Sequence, residues 1–257
     1  GERTPAPGWF PWGMRGSLCR LMFVAGFLAV SADAGLTVSS VFSDHAVLQR
    51  DIAIPVWGKA DPGEEVTVRF GGQSGTTIAE DGGQWMVHLA DMPASSEPRE
   101  MIISGRDITT GQYTNTIVIS DVQVGEVWLG GGQSNMQRPL SGDCDAAAAI
   151  SDAAEHNLRF FNVTANGGNV ASTVWEVSGA GSASNMSAVH FYFGRHLAKN
   201  MSDVPIGLIT SAVSATAIER WATCAGSGRL YEGQIVPMQP YALRGVTWYQ
   251  GEWDARG

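Results

Sequence analysis

The sequence predicts an α/β protein in which an antiparallel, β-sandwich-like N-terminal domain precedes an incomplete doubly wound parallel sheet. Two changes of texture carry that reading. Residues 36–120 run in short period-two segments broken by turn formers, whereas past Asp121 strand-like and helix-like segments alternate. Two domains follow, 35–120 and 121–257, after a leader of upstream residues and signal peptide at 1–34.

With 257 residues, 44% hydrophobic and 16% charged, the chain can bury a substantial core and is far from the composition of disorder. A net charge of -9 without a Lys/Arg cluster excludes a nucleic-acid partner, because phosphates need a basic face. Neutral or small substrates fit this composition better.

Residues 14–34 read as a secretory signal peptide. Met14-Arg15 precedes the apolar run from Leu21 to Val30, and Ala32-Asp33-Ala34 supplies a small-x-small cleavage site. Residues 1–13 are then upstream translated sequence, and the mature chain starts near Gly35. The run is too short for a stable membrane span, which predicts a secreted or periplasmic protein.

Within 35–120, residues 52–58, 65–70, 84–89, 101–104 and 114–119 alternate or run apolar for strand length. Asp61-Pro62-Gly63, Gly71-Gly72, Asp81-Gly82-Gly83 and Thr110-Gly111 are the turns between them. Beyond 121, strands are expected at 122–129, 158–163, 205–210 and 245–250. Helices are expected at 146–154 and 187–201, the second turning Val189, Tyr192, Phe193 and Leu197 to one face. Ligands of such sheets sit at the carboxyl ends of the strands. There stand Ser134, residues 211–216, and Gln250-Gly251-Glu252.

The strand at 122–129 enters Gly130-Gly131-Gly132 and delivers Gln133-Ser134-Asn135-Met136. Ser134 is the candidate nucleophile, with its own N–H and the side chains of Gln133 and Asn135 as donors to an oxyanion. Met136 stands where a Gly-x-Ser-x-Gly elbow needs its second glycine, so that hydrolase class loses support. Taken alone, the turn reads more readily as a plain polar loop than as a catalytic one.

These blocks resemble the sialate O-acetylesterase family of the SGNH hydrolases. The resemblance rests on Gly132 to Met136 and on Arg244-Gly245-Val246-Thr247-Trp248-Tyr249-Gln250-Gly251-Glu252. Phe42 to Arg50, Pro55 to Glu64, Pro205 to Ile209 and Ile218 to Trp221 extend it from about residue 37 onward. It implies a serine-dependent hydrolase of O-acetyl esters on sugars that needs no cofactor and no metal. It further implies Ser134 as nucleophile, Gln250 at the oxyanion region, Glu252 supporting the base, and Asn135 shaping the nucleophile turn.

Two departures stand out. Val213-Ser214-Ala215-Thr216 replaces the family's Trp-Gly-Gly-Thr, so Ser214 and Ala215 occupy the oxyanion glycine positions, and a Cβ there is costly if φ is positive. Trp253-Asp254 replaces Ser-Asn, which puts a large ring beside the site. The family's base is a histidine in an Asp-x-x-His block, which residues 1–257 do not contain. His45, His88, His156, His190 and His196 read as surface or core histidines, so little or no turnover is expected of this polypeptide alone.

Arg138, Arg220 and Arg244 are the cations nearest the blocks, suited either to a carboxylated sugar or to structural ion pairs. Cys144 and Cys224 either pair in an oxidising compartment or remain free thiols. An acetylated xylan or another polysaccharide is an alternative substrate. A non-catalytic carbohydrate-binding protein is the rival class, and the β-domain acting as an interaction module is a third reading. Oligomeric state is not legible.

Overall fold

Strand β8 is the spine of the computed structural model, which describes residues 35–163, 165–166, 169–170, 174–223 and 228–256. The elements before it are β1 (Thr37–Val38), β2 (Val47–Gln49), β3 (Ile54–Lys59), β4 (Glu65–Phe70), β5 (Gln73–Ile78), β6 (Gln84–Leu89) and β7 (Ser95–Arg106). After β8 (Tyr113–Gly132) come α1 (Ser134–Gln137), α2 (Ala146–Asp152), β9 (Leu158–Asn162), β10 (Ala165–Asn166), β11 (Asn169–Val170), β12 (Glu176–Val177), α3 (Ala188–Asn200), β13 (Ile206–Ala212) and β14 (Gly245–Tyr249). The expected signal peptide lies outside the described residues.

Strands β4, β5 and β7 and the first half of β8 form antiparallel ladders, while β1, β3 and β6 form a separate antiparallel sheet. The period-two pattern has its cause in burial. Val66, Val68 and Phe70 of β4 and Trp85, Val87 and Leu89 of β6 point inward and share one core with Met101 and Ile103 of β7. Strand β5 is not among the expected strands, because its Gln-Ser-Gly-Thr-Thr-Ile buries no residue fully and carries no apolar alternation.

Residues 114–119 and 122–129 were expected as two strands and are one, 20 residues long. At the expected break Asp121 takes φ +54°, a conformation Asp tolerates better than most residues. Its carboxylate is fixed there by the Arg159 guanidinium at 2.8 Å and by His45 Nδ1 at 2.7 Å. Beyond it β8 runs parallel to β13 on one side and β14 on the other, and β13 pairs in parallel with β9. The chain is thus a mixed α/β fold with a parallel sheet of order β9-β13-β8-β14.

One face of that sheet packs on helices. Leu158, Phe160, Ile206 and Leu208 meet Phe191, Ala188 and Ala149 in a second core. The other face, with Phe161, Ile209, Val127 and Leu129, joins Trp175, Met238 and Tyr241 in the core shared with the antiparallel strands. Helix α3 starts at Ser187, whose hydroxyl caps the His190 N–H at 3.1 Å. Its buried residues are Ala188, His190, Phe191 and Gly194, which corrects the expected face: Val189 is exposed, and Tyr192, Phe193 and Leu197 are only partly buried. Gly194 lets the helix lie against Leu208, since a Cβ there would stand 2.6 Å from that side chain.

Candidate active site

The inward face of the parallel strands turns polar as it reaches their carboxyl ends. In β9 the helix-facing series is Leu158, Phe160, Asn162; in β13 it is Leu208, Thr210, Ala212. These ends open into a cleft of about 1000 Å³ lined by Ser134, Asn135, Gln137, Arg138, Asn162, Asn185, Ser187, Thr210, Ala212 and Ser214, among others. The expected convergence of loops from three strands is present: Gly132 of β8 is aligned with both Ala212 of β13 and Tyr249 of β14.

Ser134 is the first residue of α1 and is exposed in the cleft. Each preceding glycine makes room for something different. A Cβ on Gly130 would stand 2.6 Å from His190 Nδ1, and one on Gly131 2.5 Å from the Trp248 ring. Gly132 has φ +140°, and a Cβ there would lie 2.0 Å from the Tyr249 carbonyl oxygen, which accepts from Gln133 N–H at 3.1 Å. The turn that presents Ser134 is therefore fastened directly to β14.

The loop after β14 holds the same turn by its side chains. Asn135 Nδ2 donates to Glu252, which places the Glu252 carboxylate beside the turn that carries Ser134. Gln250 Nε2 donates to the Thr216 carbonyl at 3.2 Å and to Asp254, whose other oxygen accepts from Ile218 N–H at 2.9 Å. Gln250 thus ties the loops after β13 and β14 together. Trp253 is 45% exposed, so core packing does not account for it.

Other expected residues are placed differently from the open donors the sequence suggested. Gln133 is buried and does not line the cleft. Ser214 lines it, but its N–H and Oγ both donate to Gln137 Oε1, at 2.9 and 2.6 Å. Ala215 has φ +57°, the positive φ at which a Cβ is strained. Arg244 pairs with Glu126 at 3.5 Å near the amino end of β14, away from the cleft. Among the three arginines only Arg138 lines the cleft, with its guanidinium donating to the Gly142 carbonyl.

Sequence reasoning passed over Gln137, Asn162, Asn185 and Thr210. Asn162 was open to the same carboxyl-end rule that found Ser134. His190 lies behind the cleft, fully buried, with Nδ1 3.0 Å from Thr210 Oγ1, and burial pushes its pKa down to about 3. No histidine is among the residues lining the cleft, and among the described residues no group of His, Cys, Asp and Glu is arranged to hold a metal. Cys144 is free and exposed; Cys224 lies outside the described residues. No helix among the described residues is long and apolar enough to cross a membrane.

A serine presented on a glycine-built turn at the carboxyl ends of a parallel sheet, with amides and a carboxylate around it, defines a candidate serine-esterase site on an α/β fold. The comparisons agree with that class. The chain belongs to the family described as carbohydrate esterase, sialic acid-specific acetylesterase, whose model matches residues 124–257. It is 28% identical to the mouse sialate O-acetylesterase, over 91% of this chain and 55% of that protein, and 30% identical to the human one, over 86% and 50%. A carbohydrate acetylesterase from Xanthomonas citri superposes with a TM-score of 0.76 at 33% identity, covering 85% of this chain and 52% of that one. The chain spans about half the length of the curated relatives it matches.

Proposed function

We propose that this chain carries the nucleophile of a carbohydrate O-acetylesterase, with an O-acetylated sialic acid or another acetylated sugar as substrate. The observation that carries the proposal is Ser134, exposed in the cleft on a turn clamped from both neighbouring strands. Its hydroxyl oxygen would attack the acetyl carbonyl, expelling the sugar hydroxyl and leaving an acetyl-serine that water hydrolyses to acetate. The Ser134 N–H, at the start of α1, is the available oxyanion donor. Arg138, the one ionisable side chain among the described residues lining the cleft, favours a carboxylated sugar over neutral acetylxylan.

The base is the part this reading leaves outside the cleft. His190 is buried and held neutral, and neither it nor any other histidine lines the site, so residues 1–257 alone should turn over little ester. That same feature supports the second reading, sugar binding without hydrolysis. Secretion or periplasmic export, and a sandwich-like antiparallel half, belong to the same proposal.

The test is hydrolysis of an aryl acetate and of an O-acetylated sialic acid by residues 1–257, and by the same chain extended at Gly257 with the corresponding segment of a relative. The extended chain should be active and lose about 10⁴-fold or more on Ser134→Ala. Turnover that survives Ser134→Ala would overturn the assignment.

A further inference from the structure

We infer that Thr210 is a hydrogen-bond donor built into the cleft floor, aimed at an acceptor oxygen of the bound acetylated sugar and held in that role by the buried, neutral His190. The inference rests on the proposed esterase reading for the identity of the ligand, and on geometry for the rest.

Thr210 lines the cleft near the carboxyl end of β13, and its hydroxyl lies 3.0 Å from His190 Nδ1. The imidazole is enclosed: Gly130 is the only residue type that leaves it room, and the Phe193 ring stacks on it at 6.1 Å. Its other nitrogen, Nε2, is buried without a hydrogen-bond partner among the described residues. A neutral imidazole carries one N–H and one bare nitrogen, and two arrangements are open.

If Thr210 donated to Nδ1, the N–H would sit on Nε2, buried and unmatched. If Nδ1 carries the proton and donates to Thr210 Oγ1, the unmatched atom is a bare nitrogen acceptor. Buried orphan donors are the rarer defect in folded proteins, so the second arrangement is favoured. It leaves the Thr210 hydroxyl proton without an acceptor among the described residues and with the cleft beside it. A sugar or acetyl oxygen there completes the chain from His190 through Thr210 to the ligand. Because complete burial keeps His190 neutral far below neutrality, this donor does not switch with pH across the physiological range.

Nitrogen NMR of the histidine-labelled chain reads the tautomer directly, and binding reads the consequence. The expected result is a protonated Nδ1 and a bare Nε2 on His190. In the Ser134→Ala background, Thr210→Val should weaken an O-acetylated sialic acid roughly tenfold or more, whereas Thr210→Ser keeps its affinity, as a merely structural threonine would not require. A protonated Nε2, or equal affinity of the Val and Ser variants, overturns the inference. If no acetylated sugar binds even with Thr210 intact, the esterase reading fails with the ligand half of the inference, and the tautomer still decides the half that concerns His190.

Discussion

Gly132 and Gly251 offer a controlled comparison of steric and conformational cost. They have almost the same φ, +140° and +142°, yet a Cβ on Gly132 would meet the Tyr249 carbonyl oxygen at 2.0 Å and its carbon at 2.6 Å, while one on Gly251 would meet nothing within 4 Å. Both Gly→Ala changes carry the strain of that φ, about 1–3 kcal/mol, and both recover about 0.4–1 kcal/mol from a stiffer unfolded chain. Those two contributions cancel between the variants. Gly132→Ala must also push β14 away from β8, about 1–3 kcal/mol of overpacking into backbone that has no rotamer to retreat to, and it weakens the Gln133 to Tyr249 hydrogen bond, worth about 1 kcal/mol. Gly132→Ala should therefore be about 2–4 kcal/mol less stable than Gly251→Ala. Urea unfolding followed by tryptophan fluorescence, with unchanged m, measures that gap as a difference in midpoint. Two variants that unfold within about 0.5 kcal/mol of each other would refute the claim that the Ser134 turn is clamped against β14.

Ala215→Gly should stabilise the chain by up to about 1 kcal/mol, because the left-handed residue loses its Cβ strain and regains only part of that as chain entropy; thermal unfolding checks the sign. Gln49→Ala should cost about 1–3 kcal/mol and speed hydrogen exchange at Val127, whose buried N–H donates to Gln49 Oε1 at 2.8 Å. Burial alone would raise the Asp121 carboxyl, but hydrogen bonds and charge from His45 and Arg159 outweigh it and hold its pKa below the usual carboxylate range. A lowered folded-state pKa gives stability that is present above about pH 4 and is lost as pH falls through the folded value. Asp121→Asn should flatten that acid limb in a stability profile taken from pH 6 to pH 3.

What was legible follows from how far a residue's role depends on its chain neighbours. Ser134 was found because a strand, a turn and a hydroxyl are contiguous, and the carboxyl-end rule converts that order into a place in space. The three glycines show where the same logic stops. All read alike as turn formers, but of the three only Gly132 has a positive φ; Gly130 and Gly131 are spaces for the side chains of His190 and Trp248, residues 60 and 117 positions away. Gln137 was passed over for the same reason, since nothing near it announces that its Oε1 will take both donors of Ser214, 77 residues on. The break expected at 120 has the converse cause. The change of texture at Asp121 is local, whereas the contacts that hold it as a kink inside a continuous strand come from the distant Arg159 and His45. Histidine shows the limit most clearly: the sequence leaves His190 as a surface or a core residue, and its buried position behind Thr210 depends on a missing side chain in another strand. Periodicity can place a residue on a face, but a side chain's chemical role is fixed by partners that periodicity does not name.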